Sequence, residues 1–145
     1  RELGVAGVVR LDGFLPNADF AAAVEQTDLM MLLRTDDLSS RACFPSRLHE
    51  LFSHGAPVLL SAVGDLALYF KDGGECLLVP AGDAAATQEK IEWVLANRST
   101  AAEIGRQGHH RATELFSPER HGASLARYLA SLVPKCLRLP THESS

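Results

Sequence analysis

Between Asp28 and Arg34 runs an unbroken apolar stretch, Leu29-Met30-Met31-Leu32-Leu33. It shows no polar alternation, so as a strand it has no face to give to water and must be covered on both sides. A second such run, Pro57 to Leu60, and a third, Cys76 to Val79, follow, each separated from the last by a helical stretch. Val8 to Leu11, closed by the Asp12-Gly13 turn signal, precedes them. Strand and helix thus alternate four times. This pattern predicts an α/β fold: a doubly wound, Rossmann-like parallel sheet of about four strands, its crossovers right-handed.

The helices are bounded by ordinary signals. Asn17 and Asp19 are positioned to cap a helix carrying Phe20, Ala21, Ala23 and Val24. Arg34 to Phe44 reads as a polar loop, after which Pro45 suits the first turn of a helix bearing Leu48, Leu51 and Phe52, stopped by Gly55. Leu66 to Phe70 is a short helix and Asp83 caps another to about Ala96. Two further helices, about Thr100 to Leu115 and Pro118 to Leu132, close the chain, and the polar tail from Lys135 onward is expected to fray.

Composition excludes several classes. With 46% apolar residues the 145-residue chain is not disordered, and its length suits one globular domain. Fourteen basic against eighteen acidic residues, a formal charge of −4, argue against a general nucleic-acid binder. No apolar run approaches the ~20 residues of a membrane helix. Three scattered cysteines, Cys43, Cys76 and Cys136, suggest reduced thiols in a cytosolic protein rather than a zinc site or disulfide scaffold. The chain opens without a Met or a signal peptide, as if cut from a longer one.

In doubly wound sheets ligands bind beyond the carboxyl ends of the strands. Three loops fall there: Asp12 to Asn17, Arg34 to Phe44, and Ser61 to Asp65. Arg34, Arg41 and Arg47 concentrate positive charge around the second, which runs into a helix start suited to a phosphate or diphosphate. Ser46, Glu50 and His54 are spaced four apart on the following helix. If that helix start holds a diphosphate, Glu50, one turn deeper, can accept hydrogen bonds from two vicinal hydroxyls, as on a ribose. The plain alternatives are a surface loop paired with Asp36 and Asp37, a Ser46 cap and an exposed Arg47–Glu50 pair. His110 and Glu114 share a helix face without a third metal ligand, and Trp93 reads as a core or interface anchor.

The run FPSRLHELFSHGAPVLLSAVGD, residues 44–65, resembles the nucleotide-sugar-binding half of group-1 glycosyltransferases of the GT-B fold, as do VVRLDGFLPNADFAAAVEQTDLMMLL, GGECLLVPAGDAAATQEKIEWVL and ELFSPERHGASLARYLASL. The likeness covers about residues 5–133. It implies that Glu50 contacts the donor ribose, that Ser46 and Arg47 meet the diphosphate, and that the Leu48 backbone and Gly13 lie near the nucleotide. Arg41 belongs to the same diphosphate region. It further implies a retaining transferase acting on a nucleoside-diphosphate sugar, with no cofactor, no metal and hence no metal role for Asp36-Asp37. The acceptor would be a sugar or a lipid-linked sugar, held by an N-terminal domain outside these residues. The location implied is cytoplasmic, with peripheral membrane association through that domain.

Two departures stand out. The family's first glutamate falls at Ala42, which puts sugar contact and catalysis in doubt. The family's opening strands and acceptor domain are also missing, so 1–133 is expected to be a partial domain with a flexible tail at 134–145, inactive by itself. A phosphate-relay receiver is disfavoured because the acidic pair follows the wrong strand. A non-catalytic nucleotide- or partner-binding module and a sugar-nucleotide epimerase fragment remain as alternatives.

Overall fold

The apolar runs do form the sheet. A computed structural model describes residues 4–5 and 7–132. Helix α1 (Asn17–Glu25) leads to strand β1 (Met30–Leu32), helices α2 (Leu38–Ala42) and α3 (Leu48–Phe52), and strand β2 (Val58–Ser61). Helix α4 (Leu66–Tyr69) and strand β3 (Leu77–Val79) follow, then helices α5 (Ala84–Ala96), α6 (Arg98–Leu115) and α7 (Pro118–Leu132). The three strands lie side by side in the order β1-β2-β3. All are parallel, with Met30 opposite Val58 and Leu59 opposite Leu77.

Strand alternation divides the core in two. Met30, Leu32, Val58, Leu60 and Leu78 pack with Leu48 and Phe52 of α3, Leu66 of α4, Phe70, Cys76 and Ala112 of α6. Leu59, Leu77 and Val79 point the other way, against Val94 of α5 and Ala101 and Ile104 of α6. Leu48, Phe52, Val58, Leu59 and Leu60 are wholly buried. Each such side chain contributes about 1.5–3 kcal/mol. Phe52 stacks on Phe70 with centroids 4.5 Å apart. Helices cover both faces of the sheet, as a doubly wound fold requires.

The fourth strand is a correction. Val8 to Leu11 forms no strand: Val8 and Val9 donate to the Val5 carbonyl at 2.9 and 3.0 Å, a local turn. Val8 is 85% exposed and Leu11 93%. The segment joins no ladder, although the outer edge of β1 is unpaired among the described residues. The expected burial of 29–33 on both faces is a second correction: Met31 in β1 and Leu33 just beyond it are half exposed, because no described element covers that side of the edge strand. The described sheet therefore has three strands.

Local starts also differ from expectation. The stretch 34–44 is not all loop, because α2 occupies Leu38–Ala42. Its signal is a cap rather than a periodicity: the Asp37 carboxylate accepts from the Ser40 N–H at 2.8 Å. Pro45 sits before the next helix, in a turn where the Leu48 N–H reaches the Pro45 carbonyl at 3.3 Å, and α3 begins only at Leu48. Asn17 is not a cap, since α1 starts at Asn17 with Pro16 in the cap position. Asp83 does cap α5, accepting from the Ala86 N–H at 2.9 Å. Helix α7 occupies the expected residues but buries none of them. The tail 134–145, with Cys136, lies outside the described residues.

Candidate functional site

Two of the three loops meet at the carboxyl ends of the strands. Buried Ser61, the last residue of β2, accepts the Arg34 N–H on its hydroxyl at 2.9 Å. The Arg34 guanidinium donates to the Cys43 carbonyl at 3.0 Å, across the base of the segment holding α2. Gly64 turns with φ +62, and a Cβ there would lie 3.0 Å from the Arg41 carbonyl oxygen. Only glycine combines that backbone with so close an approach. Arg41 to Pro45 and Val63, Asp65 and Leu66 enclose a small cavity of about 100 Å³ between these loops.

The cations of this segment are not equivalent. Arg41 grips Asp36 with two parallel bonds, Nε to Oδ1 at 2.5 Å and Nη2 to Oδ2 at 2.8 Å. That contact holds the Asp36 carboxyl below the ordinary carboxylate range. Asp37 is lowered too, first by the Thr35 hydroxyl and then by the Ser40 N–H it caps. Both carboxylates are thus occupied locally. Arg47 is exposed and makes no side-chain hydrogen bond or ion pair among the described residues. Neither a Ser46 cap nor an Arg47–Glu50 pair forms; Arg47 itself holds the cap position of α3 without a side-chain bond.

Beneath this surface α3 is firmly seated. Leu48 is wholly buried, backbone included, and its N–H is turned to the Pro45 carbonyl, so that position itself presents no surface to a ligand. Ser46, Arg47 and Glu50 are exposed around it. Gly13 is exposed with φ +64, and no heavy atom comes within 4 Å of where its Cβ would be. The structure therefore brings Arg41 against the Gly64 turn and arrays Ser46, Arg47 and Glu50 on the next turn, while Gly13 stands apart in open space. Ala42, ending α2, is exposed and offers no carboxylate.

A larger cavity, about 600 Å³, opens beside these loops. Leu33, Arg34, Thr35 and Ser61 form one wall, and Asp83 and Ile91 of the α5 region form the other. None of the six candidate residues lines it. Sequence reasoning reached one wall, since Arg34, Thr35 and Ser61 belong to the expected strand-end loops, but missed the opposite wall from Pro80 to Glu92, whose local sign is the Asp83 cap. Cys76 is not a nucleophile: burial, then the Asp72 and Glu75 charges, push its thiol up to about 12. Trp93 is partly exposed rather than a core anchor, and His109, not His110, makes a tertiary bond, to the Phe52 carbonyl.

Comparison with known proteins gives this arrangement a family. The profile described as glycosyl transferase-like matches residues 2–127. The chain is 31% identical over 113 residues to the D-rhamnosyltransferase WbpZ of Pseudomonas aeruginosa, covering 71% of this chain and 29% of that protein. It is 28% identical over 131 residues to the lipopolysaccharide core biosynthesis glycosyltransferase LpsE of Rhizobium meliloti, covering 90% of this chain and 36% of LpsE. The chain thus spans about a third of these relatives. Among solved structures, Anabaena HepE in complex with UDP-glucose superposes with a TM-score of 0.77 at 20% identity, over 90% of this chain and 34% of HepE. Sucrose-phosphate synthase from Thermosynechococcus elongatus gives 0.73 at 25% identity, over 90% of this chain and 32% of the synthase. With a family profile matched over most of its length and a sheet shared with these neighbours, the chain belongs to the glycosyl transferase-like family, as a partial domain of the group-1, GT-B kind.

Proposed function

We propose that these residues form the donor-binding part of a retaining glycosyltransferase, which holds a nucleoside-diphosphate sugar for transfer to a sugar or lipid-linked acceptor. HepE, a neighbour in fold, was solved with UDP-glucose and with UDP and glucose, which supports this class of ligand. In this reading Glu50 accepts from the ribose hydroxyls. Ser46, Arg47 and the backbone leading to Leu48 meet the diphosphate, and Gly13 closes the pocket once further chain packs beside β1. Arg41, clamped by Asp36, shapes the loop and adds positive field. Charge at the developing diphosphate is then stabilised by fixed donors, with no metal and no cofactor.

One observation carries the reading: Arg47 and Glu50 stand exposed on a turn whose frame is set by wholly buried Leu48 and Phe52, beside the loops at the strand ends. The 600 Å³ cavity is a poorer place for a diphosphate, because Asp83 and Glu92 outnumber Arg34 in its lining. Transfer itself needs the acceptor domain, so the 145 residues alone are expected to be inactive. We place the whole protein in the cytoplasm, at the membrane periphery if its acceptor is lipid-linked. No described helix is long and apolar enough to cross a membrane.

Calorimetry of the complete protein with UDP, GDP and ADP tests this reading and identifies the base. One nucleotide should bind, and Glu50→Ala should weaken it about tenfold or more, the scale of a lost charged hydrogen bond. Unchanged affinity in Glu50→Ala would refute the assignment. Ala42 favours a second reading, in which the same site binds without transferring. Acceptor-dependent release of nucleoside diphosphate marks the transferase. Sugar interconversion without release marks an epimerase, and binding with neither marks a non-catalytic module.

A further inference from the structure

We infer that His109 of α6 is a positioning residue for the donor site, acting on Glu50 through α3. The inference rests on the reading that Glu50 holds the ribose. Helix α3 is only five residues long, so its own hydrogen bonds do little to fix it. What fixes it is α6. The His109 Nδ1 lies 2.9 Å from the Phe52 carbonyl, the last residue of α3. A carbonyl can only accept, so Nδ1 carries the proton and donates. The Phe52 carbonyl also accepts from the Gly55 N–H at 3.2 Å, so the histidine is its second donor, and the one that ties the end of α3 to a helix of eighteen residues.

The same stretch of α6 approaches α3 without side chains in the way. A Cβ on Gly108 would lie 2.8 Å from Cε1 of the Phe52 ring and 2.2 Å from the Glu75 carbonyl oxygen. A Cβ on Gly105 would lie 2.2 Å from the carbonyl oxygen of Gly55, just beyond α3. Phe52 is therefore held twice, its ring over Gly108 and its carbonyl by His109. Glu50 lies two residues before Phe52 on the same short helix, so rotation or fraying of α3 moves its carboxylate directly. Sub-ångström placement matters where one carboxylate must meet two adjacent hydroxyls.

The test is a double-mutant cycle in the complete protein, read as affinity for whichever of UDP, GDP or ADP binds, at a temperature where circular dichroism shows every variant folded. His109→Ala should weaken binding about three- to tenfold, the worth of one hydrogen bond. His109→Asn, whose amide can donate from nearly the same place, should restore affinity to within about twofold. In a Glu50→Ala background His109→Ala should cost clearly less, since only the Arg47 end of α3 is left for it to position. Loss of equal size in both backgrounds, or failure of the asparagine to rescue, would overturn the inference. If Glu50→Ala weakens binding while His109→Ala does not, the positioning role falls and the ribose assignment stands. If Glu50→Ala has no effect, both fall.

Discussion

At the scale of single residues, the molecule is held by a few contacts that tolerate no substitute. Gly105 is one: an added methyl would lie 2.2 Å from the Gly55 carbonyl oxygen, which belongs to rigid backbone entering β2. Gly105→Ala should therefore destabilise the fold by about 1–3 kcal/mol, as overpacking does, and urea denaturation would show it as a lowered midpoint. Cys76 is another. Its ordinary value near 9 rises to about 12 on burial, so the folded state keeps a proton the unfolded state gives up. Its contribution is whole below pH 9 and is lost as pH climbs from there toward 12. Stability curves of the parent and Cys76→Ala, followed from pH 8 upward, should converge over that range. Thiol reagent at neutral pH should meanwhile modify exposed Cys43 and spare Cys76.

At the scale of elements, what was legible in the sequence divides by the length of the signal. Continuous apolar runs, such as 29–33 and 57–60, declare themselves, though only the second is buried on both faces, and so do long helices bounded by Asp83 or Pro118. Helix α2 was invisible because five residues carry no period, and one side-chain cap makes it a helix. Removing that cap is a direct check: Asp37→Ala should cost about 1 kcal/mol and loosen the segment from Thr35 to Phe44, seen as faster amide exchange there. The start of α3 was misplaced for a related reason, since proline fits a turn before a helix as well as its first position. Of the candidate site, the residue types around the Arg34–Arg47 segment could be read directly. Which cation is free could not, because that depends on Asp36 closing on Arg41 and on Cys43 turning its carbonyl to Arg34. Helix α7 is the opposite case: its residues were plain, yet Leu125, Tyr128, Leu129 and Leu132 are all exposed. In this chain alone Leu129→Glu should change stability by no more than about 0.5 kcal/mol.

At the scale of the whole molecule, three strands and their helices make a core with one unfinished side. The outer edge of β1 has no described neighbour, and Met31 and Leu33 stand half exposed beside it. Val8 to Leu11, expected as a strand, stands exposed and apart from that edge. An open edge with apolar neighbours invites pairing between copies, so this chain alone should sediment as a concentration-dependent mixture, and Met31→Lys should shift it toward monomer. The matched residues cover 29% and 36% of the two curated relatives, and donor binding is proposed here at the α2–α3 turn and on α3 itself. The most direct measurement is a crystal structure of the complete protein with its nucleoside diphosphate. The account predicts ribose hydroxyls on the Glu50 carboxylate and diphosphate oxygens against Ser46 and Arg47. A nucleotide seated instead between Arg34 and Asp83, with Glu50 left in solvent, would contradict it.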